Sequence, residues 1–258
     1  MVSRTYPVPL GIKQGGINSP DFFACYFDGL TKLLRDSFVG CFIKKLFLAA
    51  ILFADDICLI APTRTGLNKL ISVCSSYCSE FGLQFNPVKS KVVVFSKKKR
   101  NVSAFAPVLL NGQPVEYVDC IKYLGTTIVS NPHFAFSAKN DLINFYRATN
   151  SILNVLHRPS EEVAMQLLYT NCVPILTYAC AIKEFSAKDM TNCTVALNDA
   201  IRKIFSFKRW ESVRSLRECF GYKSLYELFA AASKKFHDSI QTHRNDTLKS
   251  LSTIVFIQ

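Results

Sequence analysis

The chain has 258 residues, 49% of them hydrophobic, and contains 10 glycines and 10 prolines. This composition excludes a disordered chain, a collagen-like chain and a flexible linker, and the length accommodates one large domain or two smaller ones. The 31 basic and 19 acidic residues leave a net charge of +12. Such an excess indicates a polyanionic partner, either nucleic acid or an acidic membrane surface, unless the protein is simply basic and soluble.

The sequence predicts no membrane-spanning segment and no secretory signal. The most hydrophobic stretch, residues 46–61, contains Asp55 and Asp56, whereas a spanning helix needs about 20 apolar residues with few charges. The N-terminal residues lack the apolar region of a signal peptide, so we expect an intracellular protein, cytoplasmic or nuclear. The 10 cysteines form no Cys-x-x-Cys pair, which favours buried free thiols over disulfides or a zinc site.

The first half of the chain predicts an α+β fold. A helix is predicted over residues 19–34, with Ser19 as its N-cap, and another over residues 65–81, which Gly82 ends. Strands are predicted over residues 47–52, 57–60, 83–85, 91–95, 107–110, 115–118 and 121–129. Asn111-Gly112 is a strong signal for a hairpin turn.

Beyond residue 130 the hydrophobic period becomes helical. Helices are predicted over residues 136–156, 160–169, 188–205 and 224–240. We therefore divide the chain into an α+β part, residues 1–129, and a helical part, residues 130–258.

Asp55 and Asp56 stand together between two short apolar runs, where a hairpin turn is predicted. Adjacent carboxylates flanked by a core repel each other, and a divalent cation removes that conflict because it prefers hard oxygen ligands. Two such cations could activate a hydroxyl and stabilise a leaving pyrophosphate. The alternative is that the two carboxylates only solvate the turn.

Four motifs occur in a fixed order along residues 11–128: Lys-Gln-Gly-Gly-Ile-Asn-Ser-Pro at residues 13–20, Phe-Ala-Asp-Asp at residues 53–56, Gly-Leu-Gln-Phe-Asn with a following lysine at residues 82–89, and Tyr-Leu-Gly at residues 123–125. The series resembles motifs B, C, D and E of reverse transcriptases, specifically those of non-LTR (LINE-type) retrotransposons. This resemblance implies a partial polymerase palm over residues 1–129 and a thumb-like helical region over residues 130–258. It also implies an RNA template, a DNA primer, a dNTP and Mg²⁺ or Mn²⁺ as partners and cofactor.

The resemblance implies a role for each matched residue, carried over position by position. Asp55 and Asp56 would be the catalytic, metal-binding carboxylates. Lys89 would stabilise charge on the leaving group, although Lys91 competes for that role. The remaining matched residues would line the nucleotide and template side of the pocket (Gln14, Gly15, Ser19) or grip the primer (Tyr123, Leu124, Gly125).

The family places a third carboxylate, in motif A, on a strand well before motif B, whereas this sequence begins shortly before Gly11. The sequence therefore predicts a piece of a retrotransposon reading frame that does not extend a primer by itself. Two alternatives stay open: an inactive remnant that at most binds nucleic acid, and a group II intron-like maturase.

Two clusters of basic residues fit nucleic-acid binding. The first contains Lys97, Lys98, Lys99 and Arg100 and has a solvated loop as its alternative. The second, residues 201–223, has seven basic and two acidic side chains interleaved with Phe205, Phe207 and Trp210. For these aromatic residues, packing into a helical core is the favoured interpretation.

Overall fold

The computed structural model describes residues 15–96, 105–130, 134–155 and 159–255. These residues form two compact units, which divide between Tyr117 and Val118. The first unit comprises described residues 15–92 and 105–117, and the second comprises residues 93–96 and the described residues from 118 onward. Helices and small sheets occur together, as the α+β prediction requires. The dividing point precedes the boundary predicted near residue 130.

The first unit is built from two helices and three small sheets. Its elements are α1 (Ser19–Asp36), β1 (Phe42–Ile43), β2 (Leu46–Phe47), β3 (Ala50–Phe53), β4 (Asp56–Leu59), α2 (Arg64–Glu80), β5 (Lys91–Val92), β6 (Val108–Leu110) and β7 (Gln113–Tyr117). Two antiparallel hairpins join β1 to β2 and β3 to β4. In the third sheet, β7 lies between β5, to which it is parallel, and β6, to which it is antiparallel.

The helix ends follow from local capping. The N-cap of α1 is Asn18, so the prediction of Ser19 as the cap was wrong by one residue. The hydroxyl of Thr63 caps α2 by accepting a hydrogen bond from the Gly66 N–H, 3.1 Å away. At its C-terminus, Gly82 adopts a positive φ of 66°, and the N–H of Leu83 donates to the Cys78 carbonyl at 2.8 Å. This is a Schellman cap, which confirms that Gly82 ends the helix.

The core of the first unit lies where α1 and α2 pack together. Leu30 and Leu34 of α1 contact Leu70 and Cys74 of α2 in one buried cluster. Half-buried residues of the β3–β4 hairpin complete this cluster. One face of the β3–β4 hairpin packs against the buried residues of α1 and α2. The turn of the hairpin is therefore attached to the core of the unit.

The second unit is a small sheet followed by a helical bundle. Its elements are β8 (Cys120–Tyr123), β9 (Thr126–Val129), β10 (Ala135–Phe136), α3 (Lys139–Val155), α4 (Glu161–Leu167), a π-helical segment (Leu168–Cys172), α5 (Val173–Thr177), α6 (Ala187–Ile204), α7 (Arg214–Cys219), α8 (Leu225–Gln241) and α9 (Asp246–Val255). The sheet is antiparallel in the order β10-β9-β8. Phe145, Met165, Leu176, Leu197 and Ile201 are buried at the centre of the bundle.

An ion pair is buried in the second unit. Nζ of Lys183, whose side chain is 0% exposed, lies 2.8 Å from Oδ2 of Asp141. A buried charge is tolerated only when it is paired and hydrogen-bonded. The segment that follows α5 is therefore bound to the N-terminal end of α3.

Five element predictions require correction. The strand predicted over residues 47–52 is interrupted, because Phe47 belongs to β2 and β3 begins only at Ala50. Residues 83–85 form no strand: Leu83 belongs to the cap of α2 and the next two residues are irregular. The strand predicted over residues 91–95 is only Lys91–Val92. The strand predicted over residues 121–129 is a hairpin of β8 and β9. The first residue of the helix predicted over residues 136–156 belongs to β10, and α3 begins at Lys139.

Among the described residues, no helix has both the length and the apolar character to cross a membrane. All 10 cysteines are free, and five of them are buried: Cys74, Cys78, Cys172, Cys180 and Cys193. The free thiols are confirmed, but Cys25, Cys120 and Cys219 are exposed, so burial does not hold for every cysteine.

Candidate functional site

Asp55 and Asp56 lie at the tip of the β3–β4 hairpin. Phe53 pairs with Asp56 across the ladder, which leaves Ala54 and Asp55 as the turn residues. Ala54 has a φ of +49°, a conformation that costs a non-glycine residue free energy. Asp55 thus lies in a tight, strained turn and Asp56 directly after it, an arrangement of the kind that is found at functional sites.

The hairpin is anchored on one face only. Leu52 and Ile57 are half-buried and pack against the α1–α2 core, whereas Ile51 and Phe53 are 45% and 61% exposed. This alternation follows from the two-residue period of a strand. The inner face holds the backbone in place, and the turn projects beyond the packed part of the hairpin.

Both carboxylates are exposed to solvent. Their exposure removes any cost of burial, so the relief of their mutual repulsion is what a cation would contribute, and the alternative that they solvate the turn stays open. Two adjacent exposed carboxylates nevertheless offer hard oxygen donors at a fixed point of the backbone, which suits Mg²⁺ or Mn²⁺. Within the described ranges, no third carboxylate, histidine or cysteine joins them in a cluster.

The segment before α1 contains the residues matched to motif B. Gln14 lies outside the described residues. Gly15 is exposed with a φ of +79°, and a Cβ placed on it would meet none of the described residues within 4 Å. Ser19 is the first residue of α1, and its N–H donates to the carbonyl of Gly16 at 3.2 Å. Space is thus open at Gly15 for a ligand to approach the backbone.

Lys89 and Lys91 differ in whether a carboxylate pairs with the side-chain ammonium group. Nζ of Lys91 forms an ion pair with the carboxylate of Glu116, its register partner on β7. Lys89 is exposed in a turn where its backbone N–H donates to Oδ1 of Asn86 at 3.2 Å. Among the described residues no carboxylate pairs with the Lys89 ammonium, so it is the better placed of the two to meet an anionic ligand.

The Tyr-Leu-Gly residues form a turn rather than the middle of a strand. Tyr123 pairs with Thr126, and the turn residues Leu124 and Gly125 have φ values of +43° and +78°. The hydroxyl of Tyr178 donates to the Leu124 carbonyl at 3.0 Å. Sequence reasoning missed Tyr178 as a partner, because no local pattern connects residues 54 positions apart.

The structure describes the second basic cluster, residues 201–223, but not the first. Residues Lys97, Lys98, Lys99 and Arg100 lie outside the described residues. In the second cluster, Phe205 packs against the core of the second unit, as favoured, but Trp210 is 79% exposed. The core-packing interpretation is therefore wrong for Trp210.

Comparison with known proteins agrees with the order of the motifs. Residues 2–128 match the sequence model of a family described as "Reverse transcriptase (RNA-dependent DNA polymerase)". A similar protein is the "Retrovirus-related Pol polyprotein from type-1 retrotransposable element R2" of Nasonia vitripennis, which is 30% identical over 122 residues. The matched region covers 45% of this chain and 12% of that relative. The chain thus spans only a small part of the relative's length.

Proposed function

We propose a role in RNA-templated DNA synthesis for residues 2–128, which are a reverse transcriptase domain of the kind encoded by non-LTR retrotransposons. The observation that carries the proposal is the pair of exposed carboxylates, Asp55 and Asp56, on the turn of the β3–β4 hairpin. The partners would be an RNA template, a DNA primer and a dNTP, with Mg²⁺ or Mn²⁺ as the cofactor.

Asp55 and Asp56 would bind the divalent cation through their carboxylate oxygens. When bound, such cations activate the primer hydroxyl and neutralise the charge of the leaving pyrophosphate. The contribution of the chain is position: the inner face of the hairpin fixes the backbone, and the exposed turn leaves room for a nucleic acid to approach.

Four other residues would bind the substrate. Gln14, Gly15 and Ser19 would contact the incoming nucleotide and the template, and the open space at Gly15 supports this assignment. Lys89 would place its ammonium near the triphosphate, where a positive charge stabilises the charge that develops on the leaving group. The ion pair of Lys91 with Glu116 supports the choice of Lys89 over its neighbour.

The assignment of palm and thumb is part of the same proposal. Residues 1–129 would be a partial palm and residues 130–258 a helical thumb-like region, with the Tyr123-Leu124-Gly125 turn as the primer grip. The helical content of the second unit and the hydrogen bond from Tyr178 to that turn support the assignment.

The proposal is tested by Mn²⁺ titration of the full chain, with free Mn²⁺ measured by electron paramagnetic resonance. We expect Asp55→Asn and Asp56→Asn each to weaken binding at least ten-fold. Asp36→Asn is the matched control, since Asp36 is an exposed aspartate at the end of α1 in the same unit. Equal Mn²⁺ affinity in all four proteins would contradict the metal-site assignment.

Primer extension on an RNA template, measured with the same proteins, separates catalysis from binding. Template-dependent dNTP incorporation that Asp55→Asn abolishes would support polymerase activity of this chain. Mn²⁺ binding through both aspartates without incorporation would instead support a nucleic-acid-binding remnant.

A further inference from the structure

The loop between α6 and α7, residues 205–213, exposes an aromatic ring beside basic side chains. We call it the Trp210 loop. Trp210 is 79% exposed, and Nζ of Lys208 lies 5.4 Å from the centroid of its ring. Tryptophan is enriched at binding interfaces, because the indole combines a large apolar face with a polar N–H group. The ring is thus accessible to a ligand, with the ammonium group of Lys208 beside it.

The backbone of the Trp210 loop is fixed by hydrogen bonds. Nε of Arg202 donates to the Glu211 carbonyl at 3.0 Å, and the Glu211 N–H donates to the Lys208 carbonyl at 3.0 Å. The Lys208 N–H donates to the carboxylate of Glu211. Val213, which is 3% exposed, anchors the end of the loop in the core of the second unit. Trp210 is therefore presented by a preorganised loop, which lowers the entropic cost of binding a ligand.

The charges around the loop favour an anionic ligand. Residues 201–223 contain seven basic and two acidic side chains. Both acidic residues are engaged, Glu211 with the Lys208 N–H and Glu218 with Nε of Arg214 at 2.9 Å. In the part of the chain that the structure describes, Lys208 and Arg209 form no ion pair.

We propose that the Trp210 loop binds single-stranded nucleic acid, with a base stacked on Trp210 and phosphates bound by Lys208 and Arg209. Aromatic rings beside cations are the elements of sequence-tolerant single-strand binding. A membrane surface fits less well, because the residues on either side of Trp210 are polar (Lys208, Arg209, Glu211 and Ser212) and Phe207, the other exposed apolar residue of the loop, is only 38% exposed. This inference adds a binding site to the thumb-like region of the proposed function, and the loop lies outside the residues 2–128 that match the family.

Trp210 is the single tryptophan of the chain, so intrinsic fluorescence reports on this loop alone. We expect oligo(dT) to quench the emission of the full chain in a saturable manner, because a stacked base quenches the ring. Heparin, a polyanion without bases, should compete for the cations without quenching. A blue shift with phosphatidylserine vesicles and no response to oligo(dT) would overturn the proposal in favour of a membrane surface.

Variants measure the contribution of stacking separately from charge. With fluorescently labelled oligo(dT), we expect Trp210→Ala to weaken binding about five-fold or more, and Trp210→Phe to retain part of the affinity. Tyr226→Ala is the matched control, since Tyr226 is a 57% exposed aromatic residue of the same unit, and it should change affinity less than two-fold. Lys208→Gln should lower the slope of log affinity against log salt by about one.

Thermal melts show whether the second unit of each variant is folded. We expect the Trp210 variants to fold, because Trp210 is exposed. Unchanged affinity of folded Trp210→Ala would overturn the proposal. That outcome would leave the polymerase function untouched, because its test depends on Asp55 and Asp56. Basic residues elsewhere in the chain do not obscure the result, since phosphate contacts neither quench tryptophan nor depend on residue 210.

Discussion

The hydroxyl of Tyr178 donates a hydrogen bond to the carbonyl of Leu124, and its ring lies against Gly125. A Cβ placed on Gly125 would come within 2.9 Å of Cε1 of that ring. Tyr178 itself directly follows α5, and Nζ of the buried Lys183 lies 5.8 Å from the centroid of its ring. The turn assigned to the primer grip is thus held by a side chain from the helical bundle, and only glycine fits beneath it.

Gly125→Ala should destabilise the chain by about 2–3 kcal/mol, because a positive φ is strained for alanine and the new methyl group meets the Tyr178 ring. The matched control is Gly112→Ala in the β6–β7 turn. Gly112 has a similar φ of +74°, but its Cβ would meet nothing within 4 Å. The control should therefore lose only about 1 kcal/mol, from backbone strain.

Urea denaturation of both variants measures the difference. Adding Tyr178→Ala to each should reduce the effect of the Gly125 substitution but not that of the Gly112 substitution, since only the first contacts that ring. Equal losses at the two glycines would contradict the close packing of Tyr178 on the turn.

Ala54→Gly should stabilise the first unit by up to about 1 kcal/mol. Relief of the positive φ at Ala54 contributes about 1–2 kcal/mol, and the larger entropy of glycine in the unfolded chain offsets part of it. Ala50→Gly in β3 of the same hairpin is the control and should destabilise, because Ala50 has no positive φ and packs against the core. A loss of stability in Ala54→Gly, seen by thermal melting, would argue against strain in the turn.

Asp55→Asn should change the free energy of unfolding by less than about 0.5 kcal/mol in EDTA, because the carboxylate is exposed and surface substitutions of this kind are small. In millimolar Mg²⁺ the unsubstituted chain should gain stability by ligand binding, and the variant should gain less. The measurement is a thermal melt in both buffers. A large loss in EDTA would show instead that the carboxylate is structural.

Lys183→Met should destabilise the second unit by about 3–5 kcal/mol, because Asp141 would then carry an unpaired charge in a mostly buried position. Asp141→Leu should be similarly costly, since it leaves the fully buried ammonium without its counter-charge. The double variant Lys183→Met/Asp141→Leu should cost less than the sum of the two single changes. Chemical denaturation of all three proteins tests this coupling, and strict additivity would exclude it.

Thiol labelling should distinguish the buried cysteines from the exposed ones. Burial raises the pKa of the Cys74 thiol to about 12, so neither access nor the thiolate form is available in the folded chain. We expect maleimide to modify Cys25, Cys120 and Cys219 first, and Cys74 only after denaturation, as read by peptide mass spectrometry. Rapid labelling of Cys74 in native buffer would contradict the packing of α1 on α2.

Local patterns in the sequence were enough to predict several helices, a hairpin turn, a helix end and the family. The spacing of apolar residues predicted α1, α2, α6 and α8 to within two residues at either end, because a helix that buries one face must repeat its apolar side chains at the helical period. Asn111-Gly112 and Gly82 gave a turn and a helix end, since both depend on backbone conformations that few residues adopt. The order of the motifs also indicated the family.

The tertiary structure decided what depends on contacts between distant residues. No local pattern in the sequence predicts the hydrogen bond from Tyr178 to the Leu124 carbonyl. The same is true of two ion pairs, Lys183 with Asp141 and Lys91 with Glu116. The exposure of side chains was also not determined by the sequence. Asp55 and Asp56 lie between two apolar runs, and Trp210 follows Phe205 and Phe207 along the chain, yet all three side chains are exposed. The reason is physical, because the burial of a side chain depends on which elements pack over it, and that packing is a property of the whole fold.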